Sequence, residues 1–445
     1  AGGVKYSVNG ILFKFAVDNA GLYSSDFIAS KAAGHDLKGL KAYFNLSMDG
    51  LHFPLMCLID YMGFRLIALS LLPISSRTHI YGTEDGGKSV KAASRTFNTL
   101  MEETATALNL RSHPVNGVLL HSAADIEGHM GDNAHFYLID FARSMPPLYP
   151  TAGVKNSHLF RLFRPEFVRS YPKPLNPDGF SGFGSSDPDF GQCNADLATA
   201  TRILYTRTVP QLGTALDKLA TQGKLNLQLL KELFHSAGVN MFLLGVVRAR
   251  LVNEKARKLL AIEIVARSTK VMLRQAIRRR MSELKSPAEA PYRAVVVDQL
   301  NRLFGMSDLA SAHWNSSLRA QCLESFPRSL FPHENVADGD ALRVYLVGEP
   351  GSSYWSLLFD RVCVLYGLQL HSAARRAFLR DPECFRHPQP FDETDLNGLG
   401  DRIKHMNIVA QAQGHALRAK TTVLVVQQDG RVARSQSQPQ QQMSV

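Results

Sequence analysis

The hydrophobic pattern of these 445 residues changes period once. Up to about Pro147, short apolar runs alternate with turn residues, as half-buried strands do. Beyond Gln192, apolar residues recur every three to four positions, the stripe of an amphipathic helix. One layer cannot serve both patterns, so the expected fold is α+β: a mixed strand and helix unit followed by an α-helical unit. The boundary falls near residue 190, after a Pro- and Gly-rich stretch (Pro146 to Gly191) that holds a short helical HLFRLFRPEFVRSY. The expected parts are 1–190 (α+β), 191–372 (α-helical), 373–430 (a helical extension, with a helical pair over Asp392 to Ala419) and 431–445 (a disordered, low-complexity tail).

Tyr6 to Asp18 reads as a strand with Leu12, Lys14 and Ala16 on one face and Phe13, Phe15 and Val17 on the other. Lys14 is thus set on an apolar strand. Ser24 to Phe44 has a Ser/Asp start and helical spacing. Gly34 inside it costs about 1 kcal/mol against Ala, so a close neighbour is expected there. Pro54 to Ile74 reads as a hairpin turning at Asp60 to Gly63, and Ser89 to Leu110 as an amphipathic helix. Further helices are expected over Asp196 to Ala220, Leu225 to Ser236, Met241 to Leu251, Glu254 to Leu284, Ala290 to Phe304 and Tyr354 to Tyr366, with Trp314 and Trp355 as core anchors.

Hydrophobic residues at 45% and charged ones at 20% place the chain among folded globular proteins. No apolar run approaches the roughly 20 residues of a transmembrane helix. The chain opens AGGVKYSVNG, without a signal peptide or an initiator Met, as a piece of a longer protein would. Its five cysteines lie singly, with no CxxC, which argues for a reducing compartment and against structural zinc. The 15 histidines show no HExxH spacing either. A formal charge of +11 favours anionic partners such as RNA or acidic membrane.

Chemistry concentrates between His113 and Pro147. A strand from Val115 to Leu120 precedes an acidic segment, a Gly131-Asp132-Asn133 turn and a second strand ending at Asp140. Were Asp125, Glu127 and His129 extended, their side chains would share one face near Asp140, a set suited to Mg²⁺ and phosphate. The plainer alternative is a solvated turn. Gly82 to Ser89 (GTEDGGKS) matches the phosphate-loop pattern, yet Glu84 and Asp85 would repel phosphates and the preceding sheet reads as antiparallel. On the long helix, Arg267, Lys270, Arg274 and Arg278 share a face, a candidate RNA-binding stripe whose ordinary alternative is a solvated charged face.

Taken in order, YSVNGILFKFAVD, SKAAGHDLKGL, PLMCLIDYMGFRLIALSLLPI, YGTEDGGKSV, DIEGH, FYLIDFARSMPP, HLFRLFRPEFV, HSAGVNMFLLG and IEIVARSTKVMLR resemble the CLU domain of the clustered-mitochondria family, over roughly 4–372. The resemblance implies a cytoplasmic, non-enzymatic scaffold, without a cofactor, acting with other proteins in mitochondrial distribution and in binding mRNAs for mitochondrial proteins. The ubiquitin-like and helical-repeat regions of well-known members are not matched in full. The order of elements is also similar to the protein-kinase architecture, which implies Mg-ATP as cofactor. There Lys14 would hold phosphates, Asp125 would be catalytic, Asp140 would bind magnesium and Asp36 would stand near the helix carboxylate. A Gly-rich loop before Lys14 and an HRD triplet are missing, and His129 stands where Asn is expected.

Overall fold

Two consecutive left-handed residues, Asn9 (φ 50°) and Gly10 (φ 79°), close a tight turn inside the expected first strand. Such turns match the twist of an antiparallel pair, which is why Asn-Gly favours them. The segment is therefore a hairpin, β1 (Lys5–Val8) and β2 (Ile11–Phe15). Helix α1 (Asp26–Phe44) follows, capped by the Ser25 hydroxyl, which accepts from the Ile28 amide. Then β3 (Leu51–His52) leads into the expected hairpin of β4 (Met56–Tyr61) and β5 (Phe64–Ser70). In this computed structural model, residues 4–286, 288–326, 343, 352–380 and 387–398 are described, with the backbone of 402–406, 423–426 and 432–435.

The next strands are β6 (His79–Gly82) and β7 (Lys91–Ala92). Because β7 pairs with β6, helix α2 (Arg95–Leu108) begins at its Ser94 cap, later than the expected Ser89. The expected strand Val115 to Leu120 is again a hairpin, β8 (His113–Val115) and β9 (Val118–Leu120), turned by Asn116 (φ 47°) and Gly117 (φ 78°). β10 (Glu127–Met130) and β11 (Phe136–Ile139) complete the half. One antiparallel sheet runs β1-β2-β5-β4, with Arg402–Met406 along β4, and α1 packs on β4 and β5. The second runs β3-β11-β10-β6-β7, with β3 parallel to β11 and the other pairs antiparallel.

After α3 (Pro165–Ser170) the chain is helical, as expected. The helix foreseen over Asp196 to Ala220 is α4 (Phe190–Ile203) and α5 (Val209–Thr221), joined by a wider π-helical turn at Leu204–Thr208. Pro210 has no amide hydrogen to bond back into the preceding turn, and the widened turn accommodates that. Then come α6 (Leu227–Ser236), α7 (Leu244–Arg248), α8 (Glu254–Leu284) and α9 (Ala290–Phe304), and later the helix Ser353–Tyr366. A helical stretch over Asp308–Ser325 was not foreseen. Trp314 and Trp355 are buried as expected, and buried side chains from both halves form one contiguous core.

Gly34 has open space where a Cβ would stand, so the close approach expected there is absent; it occurs at Gly39, whose Cβ would lie 2.3 Å from the Phe141 carbonyl oxygen. In place of the helical pair after Asp392, Leu396–Gly398 pairs with Gln369–Leu370, and Arg402–Met406 extends the first sheet. Residues 407–419 of that expectation lie outside the described residues. At the start of the expected tail, Val432–Ser435 pairs with Val423–Val426; residues 436–445 also lie outside the described residues. No helix among the described residues is long and apolar enough to cross a membrane.

Candidate functional site

Lys14 sits on the face of β2 shared with Leu12 and Ala16, so its stem passes over core and its ammonium emerges at the strand's end. There Nζ donates to Asp140 Oδ1 at 2.6 Å. Asp140 follows β11 in the left-handed region (φ 61°), a conformation a non-Gly residue holds only where its surroundings fix it. The fixing group is Asp36 of α1, whose Oδ1 accepts from the Phe141 amide at 2.9 Å. Gly39, one helical turn on, lets α1 come against the Phe141 backbone closely enough for that bond.

Burial alone would pull the Lys14 ammonium down, but Asp140 and Asp36 outweigh it and hold it above its ordinary value. Asp140 is the reverse case: burial acts upward, and the charge of Lys14 brings it below the usual carboxylate range. Asp36 is pushed up to about 6 by burial, with Lys14 opposing. One ammonium thus serves two carboxylates.

Asp125 was expected on one strand face with Glu127 and His129. It instead precedes β10, in a turn, where a period of two does not apply. Glu127 and His129 do share a face, 3.6 Å apart, and Glu127 pairs across the ladder with Ile139, next to Asp140. Asp125 is held by Arg143 at 2.6 Å, and burial still raises its carboxyl despite that cation. Its Oδ1 is buried with no hydrogen-bond partner among the described residues. Arg143 in turn lies over the Phe183 ring (4.9 Å) and lines a cavity of about 400 Å³ with Gly87, Asn116 and His158.

Sequence reasoning passed over Arg143 and Asp178. Asp178 Oδ2 accepts from the Ala124 amide at 2.7 Å and meets His113 Nε2 at 2.8 Å, which fixes the turn carrying Asp125. The signal was an Asn-Pro-Asp-Gly turn (176–179) inside what reads as a linker. The phosphate-loop match holds its own anion: the Asp85 carboxylate accepts from the Ser89 amide and the Thr83 hydroxyl, both at 2.9 Å. Hydrogen bonds from Ser89 keep that carboxyl well below its ordinary value. Among the described residues no group of three His, Cys, Asp or Glu is placed to hold a metal ion.

The stripe on α8 faces the N-terminal half. Lys270 lies 3.1 Å from Asp60 of β4 and donates to the Leu365 carbonyl at 2.7 Å. Arg274 lies 3.9 Å from Asp60, Arg278 pairs with Asp26 and covers the Phe64 ring, and Arg267 pairs with Glu263 at 2.6 Å. Lys270, Arg274 and Arg278 dock the long helix on the β4–β5 hairpin and α1, whereas Arg267 is paired within α8; the exposure of the four is between 10% and 27%.

Two family profiles match the chain: Clustered mitochondria (CLU) over residues 1–149, and Translation initiation factor eIF3 subunit 135 over residues 225–329. A Clustered mitochondria protein homolog of Emericella nidulans is 25% identical over 419 residues, covering 75% of this chain and 34% of that protein. Homologs of the same name from Neurospora crassa and Homo sapiens are each 30% identical, over 187 and 152 residues, covering 37% and 31% of this chain. Those two matches span 14% and 12% of the relatives' own lengths. No solved structure matches the chain. Residues 1–149 therefore match the clustered-mitochondria (CLU) family model, and the chain is similar to clustered-mitochondria proteins across both its halves.

Proposed function

We propose that this chain is a non-enzymatic scaffold that acts in the cytoplasm, with other proteins, in mitochondrial distribution and in binding mRNAs for mitochondrial proteins. The observation that carries this is the pairing, on one continuous core, of a region similar to clustered-mitochondria proteins with a helical region similar to a translation initiation factor subunit. The charge of +11 supports an RNA partner. Crosslinking in cells followed by sequencing of the recovered RNA tests it: transcripts for mitochondrial proteins should be enriched over their abundance. Recovery of no RNA, or of RNA in proportion to abundance, removes the transcript-binding role.

A second reading, a kinase-like nucleotide site, is favoured by one distance. In a site of that kind the strand lysine and the Asp before Phe converge on the same phosphates and magnesium, and here Lys14 and Asp140 stand 2.6 Å apart with Asp36 behind them. Against it, β1 and β2 are joined by a two-residue turn in place of a Gly-rich loop, and Asp125 is engaged by Arg143. A nucleotide would have to open the Lys14–Asp140 pair, with Asp140 turning to the metal and Lys14 to the phosphates. Thermal melts at millimolar Mg-ATP decide: a shift that disappears in Lys14→Ala and Asp140→Asn supports the nucleotide reading. No shift in the unaltered chain leaves the pair a structural one.

A further inference from the structure

We infer that the cavity where α1, the β4–β5 turn and α8 meet binds the phosphate group of a small phosphate monoester, which bridges the two halves of the chain when bound. The inference is independent of the transcript-binding and nucleotide readings, neither of which uses this cavity.

The cavity holds about 360 Å³, within the range of small-molecule sites. Its walls are the first turns of α1 (Ser25, Asp26, Phe27 and Ser30), Gly63 of the turn, one face of α8 between Val271 and Ser282, and Glu324. The floor is recessed: Ser30 is 3% exposed and the Arg274 side chain 12%. The rim is open, with Ser25, Gln275 and Arg279 exposed.

Arg274 carries the argument. Its Nε is buried and has no hydrogen-bond partner among the described residues, while a terminal nitrogen reaches the Ser30 hydroxyl at 3.3 Å and Asp60 only at 3.9 Å. Buried N–H groups are nearly always satisfied, so an unsatisfied one on a side chain that lines a cavity marks a place for an acceptor. The neighbouring acids are engaged elsewhere. Asp26 accepts from the Asp18 amide at 2.6 Å and pairs with Arg278. Asp60 is spread over Arg65, Lys270 and Arg274. Glu324 accepts from the Gln321 side-chain amide at 3.1 Å, and its charge acts on Lys31. Asp18 serves the Leu22 and Tyr23 amides, and Glu283 pairs with Arg280 at 3.2 Å. On the rim, Arg279 has no ion-pair partner among the described residues. Burial and then Arg65 bring the Arg274 guanidinium down to about 10, against the opposing charge of Asp60.

An acceptor that answers both Arg274 and Arg279 must offer several oxygens and more than one negative charge. A phosphate monoester has three free oxygens and close to two charges at neutral pH, and guanidinium groups meet such oxygens two at a time. A carboxylate has one charge and two oxygens. The start of α1 adds to the preference, since first-turn amides and the helix dipole favour an anion. Phe27 and Val271 give the organic part of the ligand an apolar wall, and Lys31 lies over the Phe27 ring at 4.4 Å. Because α1 and the turn belong to one half and α8 to the other, a ligand held here stabilises their junction by mass action.

The test uses the whole chain with phenyl phosphate as the probe, in thermal melts and calorimetry without magnesium. Phenyl phosphate at millimolar concentration should raise the melting midpoint saturably, and phenol should not. Arg274→Gln should abolish the effect. Should that protein fail to fold, Arg279→Gln decides: it is exposed, lies outside the docking contacts and should bind at least about fivefold more weakly. Arg376→Gln, exposed and remote, should stay within about twofold of the unaltered chain. No saturable shift in the unaltered chain, full binding by Arg279→Gln, or equal weakening in Arg376→Gln overturns the site. Arg279-dependent binding to vesicles carrying phosphatidylinositol 4-phosphate, with none of phenyl phosphate, overturns the soluble ligand in favour of a lipid headgroup. Hydrogen exchange of the unaltered chain needs no substitution: phenyl phosphate should slow it at 25–30, 61–65 and 271–282 relative to α6, and uniform slowing overturns the placement.

Discussion

His113 and Asp178 meet at 2.8 Å with side chains 0% and 1% exposed, and they hold the turn from which Asp125 reaches Arg143. Burial disfavours the imidazolium, but the hydrogen bond and charge of Asp178 outweigh it, so the folded chain binds this proton more tightly than the unfolded one. The stabilisation is therefore fully present below about pH 6.5 and is lost as pH rises through the higher folded value. His113→Gln should cost about 3 kcal/mol at the acidic end, where it leaves a buried carboxylate uncompensated, and less at pH about 8. Urea midpoints of both proteins across that range check this; a pH-independent difference would mean that the imidazole is neutral throughout. The cluster around Lys14 follows the same rule at lower burial. With Asp140 about a third exposed, Lys14→Met should cost less, about 2 kcal/mol, read from the same denaturation curves.

At the scale of elements, two glycines on one helix separate intrinsic preference from packing. Gly34 faces open space, so Gly34→Ala should raise stability by about 1 kcal/mol, the difference in helix propensity. Gly39 faces the Phe141 carbonyl and the Ser144 hydroxyl, at 2.3 and 2.5 Å from an added Cβ. Gly39→Ala should therefore lower stability by about 1–3 kcal/mol and push α1 off the Asp140 turn. Thermal melts of the two single variants, which differ by the same methyl group, should move in opposite directions. Movement in the same direction would show that α1 does not pack on this turn as described. The tight turns follow a matching logic: Asn9-Gly10 and Asn116-Gly117 supply the left-handed pair that a two-residue hairpin needs.

Across the whole molecule, the two halves are joined where the β4–β5 hairpin meets α8. Gly63, at φ 79°, brings the turn so near that an added Cβ would lie 2.6 Å from the Arg274 carbonyl oxygen. Beside it Asp60 takes a two-point contact from Arg65, at 2.8 and 3.1 Å, and faces Lys270 and Arg274 of the helix. Asp60→Asn keeps the shape and removes the carboxylate that balances three cations. It should cost about 3 kcal/mol and speed hydrogen exchange in 56–70 relative to the buried core around Trp314. Uniform acceleration across the chain would instead indicate global destabilisation. The second buried junction has the same design: Glu263, fully buried, holds Arg267 and a two-point contact from Arg361 at 2.5 and 2.7 Å, which ties α8 to the helix Ser353–Tyr366.

By itself the sequence determined what depends on neighbours along the chain. The change of period near residue 190, the Ser-capped helix from Asp26, the hairpin turning at Met62-Gly63, the long helix Glu254–Leu284 and the apolar setting of Lys14 are local patterns, and local patterns are legible. Its Asn-Gly pairs also marked two hairpins that read as single strands, since alternation continues through so short a turn. Only the tertiary structure decided what each charge faces. That Lys14 meets Asp140 across 126 residues, that Asp125 turns to Arg143 and away from Glu127, and that the α8 cations point at Asp26 and Asp60 all depend on which elements pack together. A basic residue looks the same in sequence whether it lines an open groove or docks a helix. The difference lies in the carboxylates brought within reach of it, and packing of distant elements supplies Asp60 to Lys270 and Arg274 and Asp26 to Arg278.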